Sequence, residues 1–288
     1  MKLPSFEYAC PTKLTEAVAL LSAQNGDAKV IAGGQSLVPM LAFRLAAPAL
    51  LVDLRKLAEL RKLDVSANGV VLGSMVRWCD ILDDARLGVA QPLLREAVTH
   101  VAHYQIRNRG TVGGSIAHAD PAAEMPGITL VCDAEIATLR GAGPRVIKAK
   151  DFFTGPLMTA LEADEIIVEI RLPAWPAARR WGFREFSRRR GDFAMAAAAL
   201  WYDEQGGKVA NAHVAVIGVG DRPLRLTAVE AVLNGRKIDD ETIAQAEAAT
   251  CAAVEPQADI HASADYRRAL AGTMVERALR DASLRTSG

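Results

Sequence analysis

Residues 29–37 read Lys-Val-Ile-Ala-Gly-Gly-Gln-Ser-Leu, a short apolar strand that runs directly into two glycines and the start of a helix. Glycine adopts backbone angles that other residues avoid, so successive N–H groups around Gly33 and Gly34 can converge on one anion. The Ser36 hydroxyl adds a further donor. The stretch therefore predicts an α/β unit whose strand end binds a phosphate group.

A second stretch, residues 110–115, reads Gly-Thr-Val-Gly-Gly-Ser. We call residues 32–37 the first glycine segment and residues 111–115 the second glycine segment. A single Gly-Gly pair is commonly an ordinary turn, but two such segments, each read as a loop after a strand, favour a diphosphate site. About five or six N–H bonds to charged oxygens, each contributing about 1.5–3 kcal/mol, would offset the desolvation of that diphosphate.

The bulk composition limits the possible functions. The chain has 288 residues, and its 34 Lys and Arg balance its 34 Asp and Glu. A net charge of zero does not favour nucleic acid as a partner, and the length predicts two or three lobes. The four cysteines lie far apart and are expected to be reduced, mostly buried thiols rather than iron–sulfur or zinc ligands. With no signal-peptide pattern at the start, we expect a cytoplasmic protein.

Apolar periodicity predicts a mixed order of elements. Strands are predicted at residues 29–31, 50–54, 70–73, 135–139, 166–172, 181–187, 194–202 and 213–217. Helices are predicted at residues 14–21, 78–87, 92–102, 225–234, 240–253 and 264–283, and His100 and His103 are placed near one helix from Val98 to Ile106. Prolines near residues 173–176 mark a linker, which gives lobes at 1–56, 57–176 and 177–288, the last an α+β unit.

The amino-acid sequences of three stretches are specific enough to indicate a protein family. The two glycine segments together with Asp120-Pro121-Ala122-Ala123-Glu124-Met125-Pro126 closely resemble the FAD-binding medium subunit of molybdenum hydroxylases, of the carbon monoxide dehydrogenase type in the xanthine dehydrogenase family. Residues 6–8, 191–194 and 265–268 also fit, so the resemblance covers nearly the whole chain. It implies a two-lobed FAD-binding fold of the PCMH/vanillyl-alcohol-oxidase type, followed by a C-terminal α+β domain.

The resemblance implies that FAD binds non-covalently between the first two lobes, with no catalytic acid or base and no metal on this chain. The implied FAD contacts are Lys29, Ile31, Ala32, Gly33, Gly34, Gln35, Ser36, Leu37, Val101, Thr111, Val112, Gly113, Gly114, Ser115, Glu124, Ile167, Arg184, Asp192 and Phe193. In the wider fold a histidine sometimes attaches FAD covalently, which makes His118 an alternative, although this subclass generally does not.

Several of these residues have a second interpretation. Glu124 would accept from a ribose hydroxyl, or it is a helix-capping or solvated acid. Ile167 would pack near the cofactor, or it is ordinary strand core. Phe193 stands where relatives often have Tyr, so an aromatic ring is kept and a hydroxyl is lost. Ser115 replaces the commoner Asn or Thr. The basic run Arg188 to Arg190 is interpreted as a docking contact, or as a phosphate or flavin contact.

The resemblance also implies partners. A small subunit with 2Fe-2S clusters and a large subunit with molybdopterin cytosine dinucleotide would form a heterohexamer with two copies of each chain, cytoplasmic or peripheral at the inner membrane face. The flavin would take electrons from the clusters and pass them to an external acceptor. Two rivals are a free-standing FAD-dependent oxidoreductase of the same fold and an interaction protein that has lost FAD. The intact glycines argue against the latter.

Overall fold

The computed structural model describes residues 2–285. The N-terminal lobe is a three-stranded parallel sheet of order β1–β3–β2. Its elements are β1 (Glu7–Ala9), α1 (Leu14–Ala23), β2 (Ala28–Ile31), α2 (Leu37–Ala42) and β3 (Leu50–Asp53), followed by 3-10 helices at Leu54–Lys56 and Ala58–Arg61. All four residues of β3 are buried, as expected for the central strand of a parallel sheet. Because the strands are parallel, the end of β2 and Asp53 lie at the same sheet edge.

The middle lobe is a five-stranded antiparallel sheet of order β4–β5–β10–β6–β7 with a helical layer. Its elements are β4 (Leu63–Ser66), β5 (Gly69–Gly73), α3 (Trp78–Asp83), α4 (Leu87–Ala90), α5 (Pro92–His100), α6 (Tyr104–Arg107), α7 (Val112–His118), α8 (Glu124–Val131), β6 (Glu135–Arg140), β7 (Gly143–Lys148), α9 (Ala149–Phe152), β8 (Phe153–Gly155), β9 (Met158–Thr159) and β10 (Ile166–Pro173). Strands β8 and β9 form a separate hairpin.

The helices of the middle lobe are shorter than the periodicity predicts. The helix expected at residues 78–87 divides into α3 and α4 because Asp84 adopts extended backbone angles. The helix expected from Val98 to Ile106 is wrong, since Ala102 has a φ of 42° and His103 is extended. The two backbone breaks leave His103 outside both α5 and α6.

The C-terminal lobe consists of a four-stranded antiparallel sheet of order β11–β12–β13–β14, followed by three helices. Its elements are β11 (Arg180–Phe186), β12 (Ala196–Gln205), β13 (Lys208–Ile217), β14 (Leu224–Arg225), α10 (Thr227–Leu233), α11 (Asp240–Ala253) and α12 (Ala264–Leu284). The expected order of strands first and helices after is therefore confirmed.

Small residues let helices approach both faces of the C-terminal sheet. In β12, Ala197 and Ala199 face the core shared with the middle lobe, whereas Ala196 and Ala198 face the C-terminal helices. On the middle-lobe side, a Cβ atom at Gly127 of α8 would lie 2.7 Å from Cγ2 of Ile217. The middle lobe and the C-terminal sheet thus bury one continuous hydrophobic core, and we call their contact the lobe seam.

A stack of three side chains lies at one end of the lobe seam. The indole of Trp201 donates to the carbonyl of Val131 over 2.8 Å. The His213 ring lies against one side of that indole, with 3.8 Å between ring centroids, and the Arg179 guanidinium lies 3.5 Å from the Trp201 ring centroid. The indole therefore joins the two lobes through both a hydrogen bond and packing.

The predicted lobe limits fall at two kinds of connection. Residue 56 ends the first 3-10 helix, and residue 176 lies between β10 and β11.

All four cysteines are free thiols, but only Cys132 is buried, so the expectation of mostly buried thiols is wrong. Within residues 2–285, no three or more His, Cys, Asp or Glu side chains are grouped as metal ligands. No helix in the same range is long and apolar enough to cross a membrane.

Candidate functional site

The first glycine segment leaves the end of β2 as a tight turn. Gly34 has a φ of 73°, which favours glycine, and the side-chain amide of Gln35 donates to the carbonyl of Gly33 over 2.9 Å. Within residues 2–285, none of the backbone N–H groups from residue 33 to residue 37 donates to a protein acceptor. These five donors, half-buried at the end of a parallel strand, suit an anionic ligand such as a diphosphate.

The second glycine segment differs from expectation. It follows α6 and a turn rather than a strand, and Val112 to Ser115 form the first turn of α7, with Thr111 as its N-cap. The amides of Val112 and Gly113 donate to the carbonyls of Val76 and Ser74, each over 2.9 Å. The prediction of a second loop with free amides is therefore wrong.

The second glycine segment still offers polar groups. The Gly114 amide donates to the Thr111 hydroxyl over a long 3.2 Å, and the Ser115 amide donates to the Thr111 carbonyl. Within the described chain, the Ser115 hydroxyl has no protein partner. This segment thus offers hydroxyl groups and one weakly held amide, while the first glycine segment offers the unpaired amides.

The fold brings the two glycine segments together. A Cβ atom at Gly33 would lie 2.2 Å from the carbonyl oxygen of Arg109, so the first segment packs directly on the backbone that precedes Thr111. A Cβ atom at Gly114 would lie 3.8 Å from the Cβ atom of Ala32. The two segments are therefore close enough for one ligand to contact both where the N-terminal lobe meets the middle lobe.

The residues on either side of Gly33 and Gly34 differ in chemistry and in burial. Lys29 is exposed on β2, where it lies opposite Leu51. Ile31 is half-buried at the end of that strand, with its side chain close to the position that a Cβ atom at Gly34 would occupy. Ser36 and Leu37 are half-buried at the start of α2. The cationic and apolar contacts expected on either side of the glycines therefore lie on one continuous stretch of backbone.

Glu124 is not a solvated acid, and its carboxyl group accepts from its own backbone amide at the start of a helix whose N-cap residue is Ala123. Glu124 is the first residue of α8, only 8% exposed, and it lies against Phe183 and Ile217 of the C-terminal sheet. Burial raises the pKa of its carboxyl group to about 7. An acceptor role toward a ribose hydroxyl remains a prediction.

Ile167 is 5% exposed in the hydrophobic core beside a bulge in β10. This burial agrees with the interpretation of Ile167 as strand core, and its contact with the cofactor remains a prediction.

The C-terminal lobe reaches the middle lobe through a turn at residues 190–193. A Cβ atom at Gly191 would lie 2.5 Å from Nδ1 of His103 and 2.7 Å from the carbonyl oxygen of Ala102, next to the buried Val101. Phe193 follows with 62% of its surface exposed. The turn therefore lies against the two residues that follow Val101, and the contacts of Val101 and of the turn with the flavin ring remain predictions.

Two polar residues of this lobe have protein partners. The Asp192 carboxylate lies 3.9 Å from the Arg188 guanidinium. The Arg184 side chain points to the helical face of the sheet, where Nε lies 2.5 Å from a carboxylate oxygen of Asp281 in α12. The contacts of Arg184 thus do not join it to the glycine segments, and its flavin contact remains a prediction from resemblance.

Sequence reasoning missed residues that shape the site from a distance. Ser74 supports Gly113, and its hydroxyl is buried without a protein partner in the described chain. The Trp78 indole lies 2.8 Å from the position that a Cβ atom at Gly110 would occupy. The available signal was Gly110 itself, since a third glycine near the pair indicates close backbone packing.

Two family models match the chain. The model of the FAD binding domain in molybdopterin dehydrogenase covers residues 4–175. The model of the CO dehydrogenase flavoprotein C-terminal domain covers residues 181–282. Both glycine segments lie inside the first match.

Named relatives are similar over their full length. The nicotine 6-hydroxylase medium subunit of Paenarthrobacter nicotinovorans is 38% identical over 286 residues, which is 99% of this chain and 100% of that protein. A solved carbon monoxide dehydrogenase from Hydrogenophaga pseudoflava matches with a TM-score of 0.96 at 40% identity, over 98% of this chain and 99% of the other. Quinoline 2-oxidoreductase from Pseudomonas putida 86 matches with a TM-score of 0.94 at 40% identity, over 98% of each chain.

Proposed function

The chain belongs to the family of FAD-binding medium subunits of molybdenum-containing dehydrogenases, and from this we propose that it takes electrons from the 2Fe-2S clusters of a small partner subunit and passes them to an external acceptor. The observation that carries the proposal is the set of five unpaired amides in the first glycine segment, in contact with the second. Bound FAD supplies the redox chemistry, since a flavin can take up electrons singly and release them in pairs.

The roles of this chain's own residues are binding and orientation. Gly33 and Gly34 would hold the pyrophosphate through backbone N–H groups, and the Thr111 and Ser115 hydroxyls would hold it from the other side. The turn at residues 190–193 would limit access of water to the flavin ring. We further propose that residues 1–56 and 57–176 form the two FAD-binding lobes. Residues 177–288 would form a separate C-terminal α+β domain.

The names of the relatives support a division of labour between subunits. Relatives at 38–40% identity are named for nicotine and quinoline, which both contain a pyridine ring, and for carbon monoxide, a diatomic molecule that resembles neither. A medium subunit that bound the substrate would be expected to diverge with it. We therefore infer that a large subunit with molybdopterin cytosine dinucleotide selects the substrate, in a heterohexamer with two copies of each chain. Such a complex would be cytoplasmic or peripheral at the inner membrane face.

The test is an absorbance spectrum of the protein purified together with the products of its neighbouring genes. We expect flavin bands, iron–sulfur absorption that belongs to a partner, and FAD that is released by acid. A colourless chain that cannot be reconstituted with FAD would overturn the proposal. A chain that purifies alone, binds FAD and oxidises an organic substrate without partners would instead be a free-standing flavoenzyme.

A further inference from the structure

Two buried carboxyl groups lie at the lobe seam. The Glu185 side chain on β11 is only 2% exposed, and its Oε2 atom has no hydrogen-bond partner in the described chain. Glu124 on α8 is 8% exposed, and its charge acts on Glu185. The walls around Glu124 are apolar and comprise Gly127, Phe183, Ala197, Ala199, Ala215 and Ile217. Phe183 precedes Glu185 by two residues on β11, so the two side chains face the same side of the sheet.

The nearest titratable base belongs to α5. Nδ1 of His100 lies 4.0 Å from Oε1 of Glu185, and Nε2 of the same ring lies 3.8 Å from Glu96. The His100 side chain is 33% exposed, so its ring connects the buried acid to solvent. Asp120, which precedes α8, adds a further negative charge near Glu124.

The cations of the neighbouring elements are engaged elsewhere. Arg184, next to Glu185 in β11, points to the opposite face and pairs with Asp281. Arg285, which follows α12, lies 3.4 Å from the ring centroid of Trp181. Strands β12 and β13 contribute only alanine and isoleucine to the walls. Within residues 2–285, no Arg or Lys forms an ion pair with Glu124 or Glu185.

Two ionised carboxylates without a cation are costly in an apolar setting, because burial removes their hydration and like charges repel. Burial, followed by the charge of Glu124, raises the pKa of Glu185 to about 8. Burial also raises the pKa of Glu124 to about 7.

We propose that Glu124 and Glu185 retain at least one proton between them at neutral pH, and that this proton keeps the middle lobe packed on the C-terminal sheet. The inference goes beyond the proposed function, because it needs neither flavin nor partner subunits. Loss of the proton would leave the charge pair facing only His100 and would push β11 away from α8. The turn at residues 190–193 would then lose its contact with His103.

The direction of the pH dependence follows from linkage. A carboxyl group whose pKa is raised in the folded state binds its proton more tightly there than in the unfolded chain. Its contribution to stability is complete below the ordinary carboxyl pKa of about 4.5 and is lost as the pH rises through about 8. The seam should therefore weaken on the alkaline side of neutrality.

The first measurement is the melting temperature of the full chain against pH, for wild type, Glu185→Gln and the control Glu96→Gln. Glutamine imitates the protonated acid, so Glu185→Gln should flatten the alkaline decline and melt at least about 5 °C above wild type near pH 9. Glu96→Gln removes a half-buried carboxylate from the same histidine and should keep the wild-type slope on the alkaline side. Parallel curves for wild type and Glu185→Gln would overturn the inference.

The second measurement is the infrared spectrum of the wild-type chain, which decides the matter even if Glu185→Gln does not fold. We expect the absorption of a protonated, buried carboxyl group at neutral pH that disappears on alkalinisation. Absence of that band would show that both acids are ionised and would refute the retained proton. Because neither readout uses flavin, failure here leaves the proposed electron-transfer role standing.

Discussion

Gly33 and Gly114 look equivalent in the sequence but have different neighbours. A Cβ atom at Gly33 would collide with the carbonyl of Arg109, 2.2 Å away, so any substitution there disturbs backbone packing even without a ligand. A Cβ atom at Gly114 would lie 2.8 Å from the Thr111 hydroxyl and 3.8 Å from the Cβ atom of Ala32, so the only close neighbour is a side chain and not backbone. Gly114 is therefore the cleaner position at which to test ligand binding.

Replacing Gly114 with valine should lower FAD affinity at least about tenfold, equivalent to about 1.4 kcal/mol, because the side chain would occupy the space between the two glycine segments. Flavin absorbance per protein after equilibration with FAD measures the effect, and circular dichroism monitors folding. Gly88→Val is the matched control, since Gly88 is an exposed helical glycine with only Arg95 Cδ nearby, at 3.9 Å. Wild-type flavin occupancy in Gly114→Val would contradict the assignment.

Glu165 provides a second residue-scale test, on stability. Its carboxylate accepts from Arg145 at 2.6 Å and from Thr138 and the Glu162 amide. Burial acts to raise the pKa of Glu165, but the bonds from Arg145 and Thr138 outweigh it and lower that pKa. The stabilisation is therefore present above the ordinary carboxyl pKa and is lost as the pH falls through the lowered value.

Glu165→Gln should reduce the free energy of unfolding by about 2 kcal/mol at neutral pH, below the range for fully buried pairs because Arg145 is partly exposed. Urea unfolding at neutral pH and near pH 3 measures the effect, and the difference from wild type should shrink at the acidic end. Glu169→Gln removes the partner of an exposed pair with Arg171 and should cost less than about 1 kcal/mol. Equal losses in the two variants would contradict the role of burial.

Individual residues were predictable from sequence only where their neighbours are local. Gly34 follows its strand and adopts the left-handed angle that the Gly-Gly pattern indicates. Gly113 is a glycine for a different reason, because a Cβ atom there would lie 2.4 Å from that of Ser74, which is distant in the chain. No local pattern contains that contact, so the start of α7 was taken for a loop.

At the scale of elements, a close backbone approach joins α12 to β11 in the C-terminal lobe. A Cβ atom at Gly182 would lie 2.1 Å from the backbone oxygen of Ala278. Neither backbone can yield without moving a whole element, since the helix and the strand are both buried along this contact. The 21-residue helix therefore depends on one position that lacks a side chain.

Gly182→Val should destabilise the chain by about 3 kcal/mol, the upper end of the usual cost of overpacking, because the obstacle is backbone. The midpoint of urea unfolding measures it. Gly155→Val is the control, since a Cβ atom there would meet only Met158 Sδ at an ordinary 3.7 Å. A Gly182→Val midpoint as high as that of the control would show that α12 can shift freely.

The helices that were predicted accurately begin at local sequence signals, whereas the others end where tertiary packing requires it. Helices α11 and α12 match their predicted spans closely, because each has a side-chain cap, from Asp239 and Ser263 respectively. The short helices α3 to α6 do not match, since their ends are set by packing and by a left-handed residue, Ala102. Strand periodicity located β11 to β13 but carries no information about which strands are neighbours.

At the scale of the whole molecule, charge balance and exposed apolar residues act together. The sequence pI is about 7.0, and Phe43, Leu45 and Phe193 are each more than 60% exposed. Electrostatic repulsion between copies is therefore weakest near neutral pH. The isolated chain should scatter light most strongly near pH 7 and less near pH 6, and co-purified partner chains should abolish this maximum. Scattering that is flat across this range would contradict the explanation.

The residues that are buried at the lobe seam could not be predicted from the sequence. The strand predicted at residues 194–202 contains Ala196 to Ala199, and in the structure these small residues pack closely on both faces of β12. The burial of Glu124 and Glu185 depends on the docking of two lobes whose residues are about 60 positions apart, which periodicity cannot register. The glycine patterns led to two segments that the fold brings together, and they carried no information about the arrangement of the third lobe.

The stack of Arg179, Trp201 and His213 also makes the molecule its own optical probe. An indole held between a guanidinium and an imidazole should emit weakly, and its emission should rise when the lobes separate. Trp78 lies outside this stack, beside Gly110, which precedes the second glycine segment. A flavin bound at the glycine segments would accept the excitation energy of Trp78. In variants that keep only one of the chain's four tryptophans, emission from Trp201 would follow lobe separation and emission from Trp78 would follow cofactor occupancy.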